Sequence, residues 1–366
     1  MASTTFPVTV LGAGVSGLTT ALVLQQHGYP VTIVAQHFPG DESTTHYTSP
    51  WAGANWSPRA SRDDPSHQAV DSATLIKLLH LAFKCPDSGV FLVDVWDGCE
   101  HRCSDNQLWF THIVPEYREL PSEERPPKCE YVATYKTVCI NVFQYLQWLQ
   151  SQLTSLGGQC HRVHRPVGHI FDVWSLVPGT RLVVNCTGLS VRDLGGVLDN
   201  TVYPIRGQIA IVRAPQVKRH VSWMAEGTVN YVIPRGDGTV VLGGTYLPYI
   251  EDPQVDPATT EAILRNCLVI CPELVDSTDS DASNRLRALQ AQVIRECVGF
   301  RPMRMHKTRV ELEHRVTPDG QKRPVCHNYG HGGYGYQSSW GYADLVRSLV
   351  DQEFRRQFQT MLHPRL

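Results

Sequence analysis

Pro7-Val8-Thr9-Val10-Leu11-Gly12-Ala13-Gly14-Val15-Ser16-Gly17-Leu18 is the stretch whose reading decides the fold. Residues 7–11 are apolar and β-branched and predict a short buried strand. The glycines then turn the chain into a helix expected from Leu18 to His27 and stopped at Gly28. Val31 to Ala35 reads as a second β-branched strand, so the chain opens with a βαβ unit, which implies a parallel sheet. The Gly12/Gly14/Gly17 spacing has a mechanical reason. The first glycine makes the tight turn and the second lets the backbone approach a pyrophosphate. The third lets helix and strand pack closely, with the phosphates at the positive helix end. Strand before and helix after turn a weak motif into a dinucleotide site. The acid that usually binds the ribose hydroxyls belongs where Ala35 and Gln36 stand. Gln36 is expected to serve there through its amide oxygen, and His37 to support the adenosine phosphate.

Further along, Phe38 to about Ser66 shows little periodicity, and Leu75 to Phe83 is helical in pattern. Residues 90–135 mix short strands with Pro-rich turns. Val142 to Leu156 predicts a helix ending at Gly157-Gly158, and Leu182 to Cys186 a buried strand closed by Thr187-Gly188. From Val202 to Tyr246 the pattern is β-rich: Gln208 to Val212, Val229 to Pro234 and Thr239 to Leu242. The Gly236-Asp237-Gly238 turn joins the last two as a hairpin. Residues 257–297 read as helical, Arg309 to Glu313 as strand, Gly330 to Gly335 as a glycine-rich loop and Ser338 to about Phe358 as a final helix. This order predicts an α/β protein with a Rossmann-like dinucleotide-binding domain from residues 1–60, 140–200 and 300–366. Interleaved with it is a substrate domain from residues 61–139 and 201–299, built on a mainly antiparallel β-sheet.

The 366 residues are 42% hydrophobic and 19% charged, the composition of a folded enzyme. With 33 basic against 35 acidic residues the formal charge is −2, which offers no basic field for a phosphate backbone and argues against a nucleic-acid partner. No charged segment followed by an apolar run opens the chain, and the apolar stretches are too short to span a bilayer. The eleven cysteines are therefore expected to be reduced thiols. Cys99, His101 and Cys103 form only half a metal pattern, and His327 and His331 flank a glycine-rich loop, so no metal is expected. No G-x-S-x-G elbow anchors a hydrolase triad. The last residues, Pro364-Arg365-Leu366, resemble a variant of the Ser-Lys-Leu peroxisomal address. They imply an import receptor as partner and a peroxisomal matrix location, or a cytoplasmic one if the tripeptide is not read.

Six ordered stretches carry a resemblance to the D-amino-acid oxidase family of fungal type. They are Ser49-Pro50-Trp51-Ala52-Gly53-Ala54-Asn55-Trp56, Thr187-Gly188 after Val-Val-Asn-Cys, and Pro204-Ile205-Arg206-Gly207-Gln208. The others are Tyr231-Val232-Ile233-Pro234-Arg235 through Gly243-Gly244-Thr245-Tyr246, Gly299-Phe300-Arg301-Pro302, and Tyr329-Gly330 to Gly341. The resemblance runs in register from about residue 7 to 350. It implies FAD as cofactor, a small D-amino acid and dioxygen as substrates, and a homodimer as the expected assembly. The cofactor residues it implies are Gly12, Ala13, Gly14, Val15, Ser16, Gly17, Gln36, His37, Thr44, Thr45, Ser49, Gly53, Ala54 and Asn55. Val167, Thr187, Arg301, Gly330, Gly333, Tyr334, Gly335, Tyr336 and Gln337 complete that set.

The catalytic residues implied are Tyr231, Tyr246, Arg301 and Gln337. Arg301 is the planar fork for the substrate carboxylate, with Arg304 and Arg309 as nearby alternatives. Tyr231 and Tyr246 lie on the two arms of one hairpin and are placed to orient the carboxylate and gate the site. In the family a backbone carbonyl near Gln337 helps hold the amine, and hydride passes from Cα to the flavin without a protein acid or base. A D-aspartate oxidase is the nearest rival, but that relative carries arginine after Gly-Gly-Thr, where Tyr246 stands here. An oxidase of glycine or secondary amines, and a non-catalytic nucleotide binder, are the further rivals. A binder has no use for a carboxylate clamp.

Overall fold

The computed structural model describes residues 6–41, 44–58, 60–100, 109–125, 129–225, 228–276 and 279–362. His101, Cys103 and Pro364-Arg365-Leu366 lie outside the described residues. The chain begins with β1 (Val8–Leu11), α1 (Val15–Gln26), β2 (Val31–Ala35), α2 (Pro65–Lys84), β3 (Val90–Cys99), β4 (Arg118–Glu119) and β5 (Tyr131–Ile140). It continues with α3 (Val142–Ser155), β6 (Gln159–Arg162), α4 (Asp172–Leu176), β7 (Leu182–Asn185), β8 (Val202–Arg213), β9 (Arg219–Ala225), β10 (Thr228–Pro234) and β11 (Thr239–Gly243). Then come β12 (Leu247–Pro248), α5 (Pro257–Ile270), α6 (Ala282–Gln290), β13 (Val293–Arg304), β14 (Arg309–Val316), β15 (Lys322–Tyr329) and α7 (Gly335–Leu362).

The residues divide into two compact units. The first comprises Met1–Pro50, Leu146–Pro204 and Arg301–Leu366. Its six-stranded sheet has the order β14-β15-β7-β1-β2-β6, parallel throughout except for the β14 edge. The chain steps one way from β1, through α1 to β2 and on to β6, and then returns to the other side of β1 with β7. The strand order therefore reverses between β1 and β7, and such a reversal opens a crevice at the carboxyl ends of the strands. Gly12 follows the end of β1 directly, and Thr187 lies two residues past the end of β7. α1 starts at Val15, three residues before the expected Leu18, and buries Val15, Leu18, Ala21, Leu22, Val23 and Leu24. A helix apolar on every side is a core helix, and this one packs against α7. Phe6, Tyr29 and Phe354 stack edge-on at 5.4–6.2 Å between ring centroids beside that contact.

The second unit comprises Trp51–Tyr145 and Ile205–Phe300. Residues 51–60 and 140–145, expected in the dinucleotide-binding domain, belong to this unit by contact. Its sheet runs β12-β8-β11-β10-β9-β3-β5-β4, with β13 pairing β8. β3 and β9 run parallel, whereas β8, β9, β10 and β11 pair antiparallel, as do β3, β4 and β5. Side chains alternate strictly. Ala210, Val212, Val232, Val240 and Leu242 pack with Ile263, Leu264 and Cys267 of α5. Ile209, Ile211, Ile233 and Val241 pack on the opposite face with Trp51 and Tyr231. Tyr231 is thus directed away from α5 by the period of two alone.

Three local expectations are corrected. Val90–Cys99 and Tyr131–Ile140 are long ten-residue strands, β3 and β5, in direct register from Val90↔Ile140 to Cys99↔Tyr131. The helical span 257–297 ends at Gln290, and Val293 begins a strand. Of β13 only Cys297 to Phe300 are buried, so its charged first half carries no alternation to betray it. α2 runs ten residues ahead of its apolar window, because Pro65 occupies its first turn and Asp64 caps it by accepting from His67 N at 3.2 Å. Among the described residues no helix is long and apolar enough to cross a membrane.

Candidate active site

The cradle at the end of β1 is built by backbone approach. Gly12 has φ +108°, and a Cβ there would lie 2.6 Å from the Cys186 carbonyl oxygen. A Cβ on Gly17 would overlap the Gly12 carbonyl oxygen, with the Gly12 carbonyl carbon at 2.9 Å. Both positions therefore exclude every other residue type. α1 begins after Gly14, which has no side chain to cap it, and its first turn carries no acidic residue, so the positive end of the helix faces no carboxylate of its own. Ser49 Oγ accepts from Val15 N at 2.9 Å, and Tyr336 Oη donates to the Ser49 carbonyl at 2.8 Å. His331 Nδ1 lies 3.4 Å from Ser16 Oγ, and its Nε2 lies 3.0 Å from Asn328 Oδ1. Gly12, Gly14, Val15, Ser16, Gly17, Ser49, Gly335 and Tyr336 are so brought to one place within the first unit. Glycine-lined, and with no acidic residue in the first turn of α1, this cradle fits the pyrophosphate of a dinucleotide.

At the carboxyl end of β2, where Gln36 stands in place of an acid, the charged groups are Arg162 and Asp41. Arg162, opposite Ala35 in the β2–β6 register, donates to the Gln36 carbonyl at 3.1 Å and pairs with Asp41. The guanidinium holds the Asp41 carboxyl below its ordinary range. His37 stacks on Tyr47 at 6.3 Å between centroids, and Tyr47 Oη donates to the Ala13 carbonyl at 2.8 Å. Burial lowers the His37 imidazole, with Asp41 opposing, which favours the neutral ring. Thr44 Oγ1 accepts from His46 N at 3.1 Å, and Val167 packs on the cluster of Leu11, Val34 and Val183.

Arg301 is the first residue of β13 that belongs to the first unit, and its side chain lies against Gly333, whose Cβ would sit 3.3 Å from Arg301 Cδ. The two alternatives are committed elsewhere. Arg304 Nε donates to Asp199 Oδ2 at 2.9 Å, and Arg309 pairs with Glu311 and donates to Tyr329 Oη at 2.7 Å. Asp199 also accepts from Tyr329 Oη at 2.9 Å and from Thr201 N at 3.0 Å. Burial pushes the Asp199 carboxyl up, but the hydrogen bonds from Thr201, Arg304 and Tyr329 outweigh it and hold it well below the usual carboxylate range. A depressed pKa stabilises the fold above the unfolded-state value of about 4, and that stability fades as pH falls below it. Asp199→Asn is therefore expected to cost about 2 kcal/mol at neutral pH. Urea unfolding should show the gap between variant and parent narrowing below pH 4; a gap unchanged there would sink this account.

The second unit holds Gly53, Ala54, Asn55, Tyr231 and Tyr246. Arg235, 5% exposed, donates from Nε to the Gly53 carbonyl at 3.0 Å and from Nη2 to the Ala52 carbonyl at 3.1 Å. His220 Nδ1 lies 3.1 Å from the Val232 carbonyl and its Nε2 lies 3.4 Å from Asn55 Nδ2, so the same strand pair holds the 52–55 segment and carries Tyr231. Tyr231 stands directly opposite Gly243, and Tyr246 lies three residues beyond at 55% exposure. Gln337 is buried in the first turn of α7. The contacts of Arg235 with Gly53, His220 with Asn55, Gly243 with Tyr231, and His327 with Asn185 and Glu313 have no signal in the sequence, because they join positions distant in the chain. His327 belongs to β15 rather than to the glycine-rich loop, and among the described residues no cluster could hold a metal ion. Cys267 and Cys271, with the other described cysteines, are free thiols.

Residues 7–349 match the family described as FAD dependent oxidoreductase. The chain is 34% identical over 341 residues to a D-amino-acid oxidase of Schizosaccharomyces pombe, covering 92% of this chain and 93% of the relative. It is 32% identical to a D-aspartate oxidase of Cryptococcus neoformans var. grubii, covering 94% of this chain and 96% of the relative. A glycine oxidase from Bacillus cereus shares the fold with a TM-score of 0.70 at 17% identity, over 95% of both chains. A family match over nearly the whole chain, beside a glycine cradle built for a dinucleotide, has one meaning: the protein belongs to the FAD-dependent oxidoreductase family, and FAD is its cofactor.

Proposed function

We propose that this protein is a D-amino-acid oxidase acting on neutral D-amino acids, converting them to 2-oxo acids and ammonia with hydrogen peroxide as the reduced product of dioxygen. The observation that carries the reading is the β10–β11 hairpin. It presents Tyr231 on the face away from α5, opposite Gly243, and carries Tyr246 three residues on. When bound, FAD supplies the two-electron acceptor that dioxygen restores. In this proposal the Arg301 guanidinium binds the substrate carboxylate as a fork, and the hydroxyls of Tyr231 and Tyr246 orient it. A backbone carbonyl near Gln337 accepts from the amine and helps keep Cα turned toward the acceptor. No side chain removes a proton from Cα.

A second reading, D-aspartate oxidase, is favoured by the Cryptococcus relative. Against it stands Tyr246, at the position where the resemblance places an arginine in enzymes of acidic substrates. Oxygen uptake with D-alanine and D-aspartate separates the two: turnover of D-alanine supports the proposal, and turnover of D-aspartate alone overturns it. Anaerobic bleaching of the yellow protein by D-alanine, but not L-alanine, checks the stereochemistry. The proposal includes a homodimer and peroxisomal import through Pro364-Arg365-Leu366, both read from resemblance. Native mass measurement and imaging of the tagged chain test them.

A further inference from the structure

Four residues of the first unit form one hydrogen-bonded chain behind the cofactor cradle. Glu313 on β14 meets His327 Nε2 at 2.6 Å, and His327 Nδ1 meets Asn185 Nδ2 at 3.2 Å. Asn185 Oδ1 in turn accepts from Thr187 Oγ1 at 2.8 Å and from Thr187 N at 3.2 Å. Asn185 and His327 are fully buried and pair across β7 and β15 in register. The order of protons along this chain is not free. A backbone N–H can only donate, so the Thr187 amide requires the oxygen of the Asn185 amide to face it. The nitrogen of that amide then faces His327 and can only donate, so Nδ1 must be the unprotonated nitrogen. His327 therefore carries its proton on Nε2, where Glu313 accepts it. The ring is neutral: burial lowers its pKa to about 4 against the opposing pull of Glu313. The charged groups around it are Glu313, Arg309 and Arg315 on β14, and the contact with Glu313 is a neutral donor on a carboxylate.

We propose that His327, fixed as the Nε2–H tautomer by Glu313, is a positioning residue for FAD that sets the hydrogen-bond polarity of Thr187. With the amide hydrogen and the hydroxyl hydrogen of Thr187 both drawn to Asn185, the side chain presents only oxygen lone pairs. It accepts from a hydroxyl or ring N–H of the cofactor and does not donate to a phosphate oxygen. Reversing the Asn185 amide would turn the Thr187 hydroxyl into the opposite partner. The inference rests on the reading that Thr187 contacts FAD, so the experiment tests the two separately.

FAD titration of the full-length apoprotein, followed by flavin fluorescence, is the measurement. His327→Leu removes the acceptor at Nδ1, whereas His327→Asn replaces it with a carbonyl oxygen near the same point; both lose the bond to Glu313. His327→Leu is expected to raise the FAD dissociation constant about tenfold and His327→Asn no more than about twofold. Thermal midpoints of the two apoproteins should fall by similar amounts. Thr187→Val should match His327→Leu, and the double variant should be no worse than either. If His327→Leu and His327→Asn weaken FAD binding equally, or neither does, the positioning role is overturned. If Thr187→Val binds FAD as the parent does, the contact between Thr187 and the cofactor is overturned instead.

Discussion

Gly17→Ala is expected to give a protein that purifies without the visible flavin band and binds added FAD at least about 100-fold more weakly. The added Cβ would overlap the carbonyl oxygen of Gly12 and come to 3.4 Å from Cys186 Cβ. Neither obstacle is a flexible side chain tip. Relief requires the first turn of α1 to move away from the β1 end, which withdraws the helix amides from the phosphates they are aimed at. The cost also falls on the fold: overpacking at a buried position costs roughly 1–3 kcal/mol. The two effects separate on measurement, because FAD titration of the apoprotein reads the cradle and urea unfolding of the same apoprotein reads the packing. A yellow variant with stoichiometric FAD would refute the close-approach argument.

The parts of the molecule legible in the sequence are those fixed by neighbours along the chain. The β1 turn is local in its pattern, since Gly12, Gly14 and Gly17 fall within six residues, although the atom that excludes a Cβ at Gly12 is the distant Cys186 carbonyl oxygen. The β10–β11 hairpin is likewise local, with the Gly236–Gly238 turn setting its register. What escaped is long-range. Arg235 reaches Gly53, and Arg162 reaches Asp41, so neither has a signal in its own neighbourhood. The acid missing at Gln36 illustrates the limit well. The second strand lacks it, but Asp41 is folded back against Arg162 at the same end of the sheet by a strand more than a hundred residues away. β13 is illegible in the sequence for a different reason. Its first half is exposed, so tertiary pairing with β8 rather than a hydrophobic pattern decides its conformation. The spacing of His327 to His331 is visible in a sequence, whereas the strand register that sets His327 beside Asn185 is not.

Gly243→Ala is expected to lower kcat/KM for D-alanine about 100-fold while leaving FAD binding within about twofold of the parent. Tyr231 and Gly243 are register partners on the same face of the sheet, and the tyrosine ring lies across the glycine. A Cβ at 243 would overlap Cζ, Cε2 and Oη of Tyr231. The end that collides is the hydroxyl end, the one the proposed function uses. The ring must swing away, and a displacement of about 1 Å at an orienting group is enough for a loss of that size. A double-mutant cycle isolates the cause. In a Tyr231→Phe background the ring still collides, so the stability cost of Gly243→Ala remains. Its effect on kcat/KM should nearly vanish, because the hydroxyl it displaced is already gone. Equal losses of kcat/KM in both backgrounds would mean that Gly243 acts on the hairpin as a whole, and the assignment of Tyr231 as the orienting hydroxyl would fall with it.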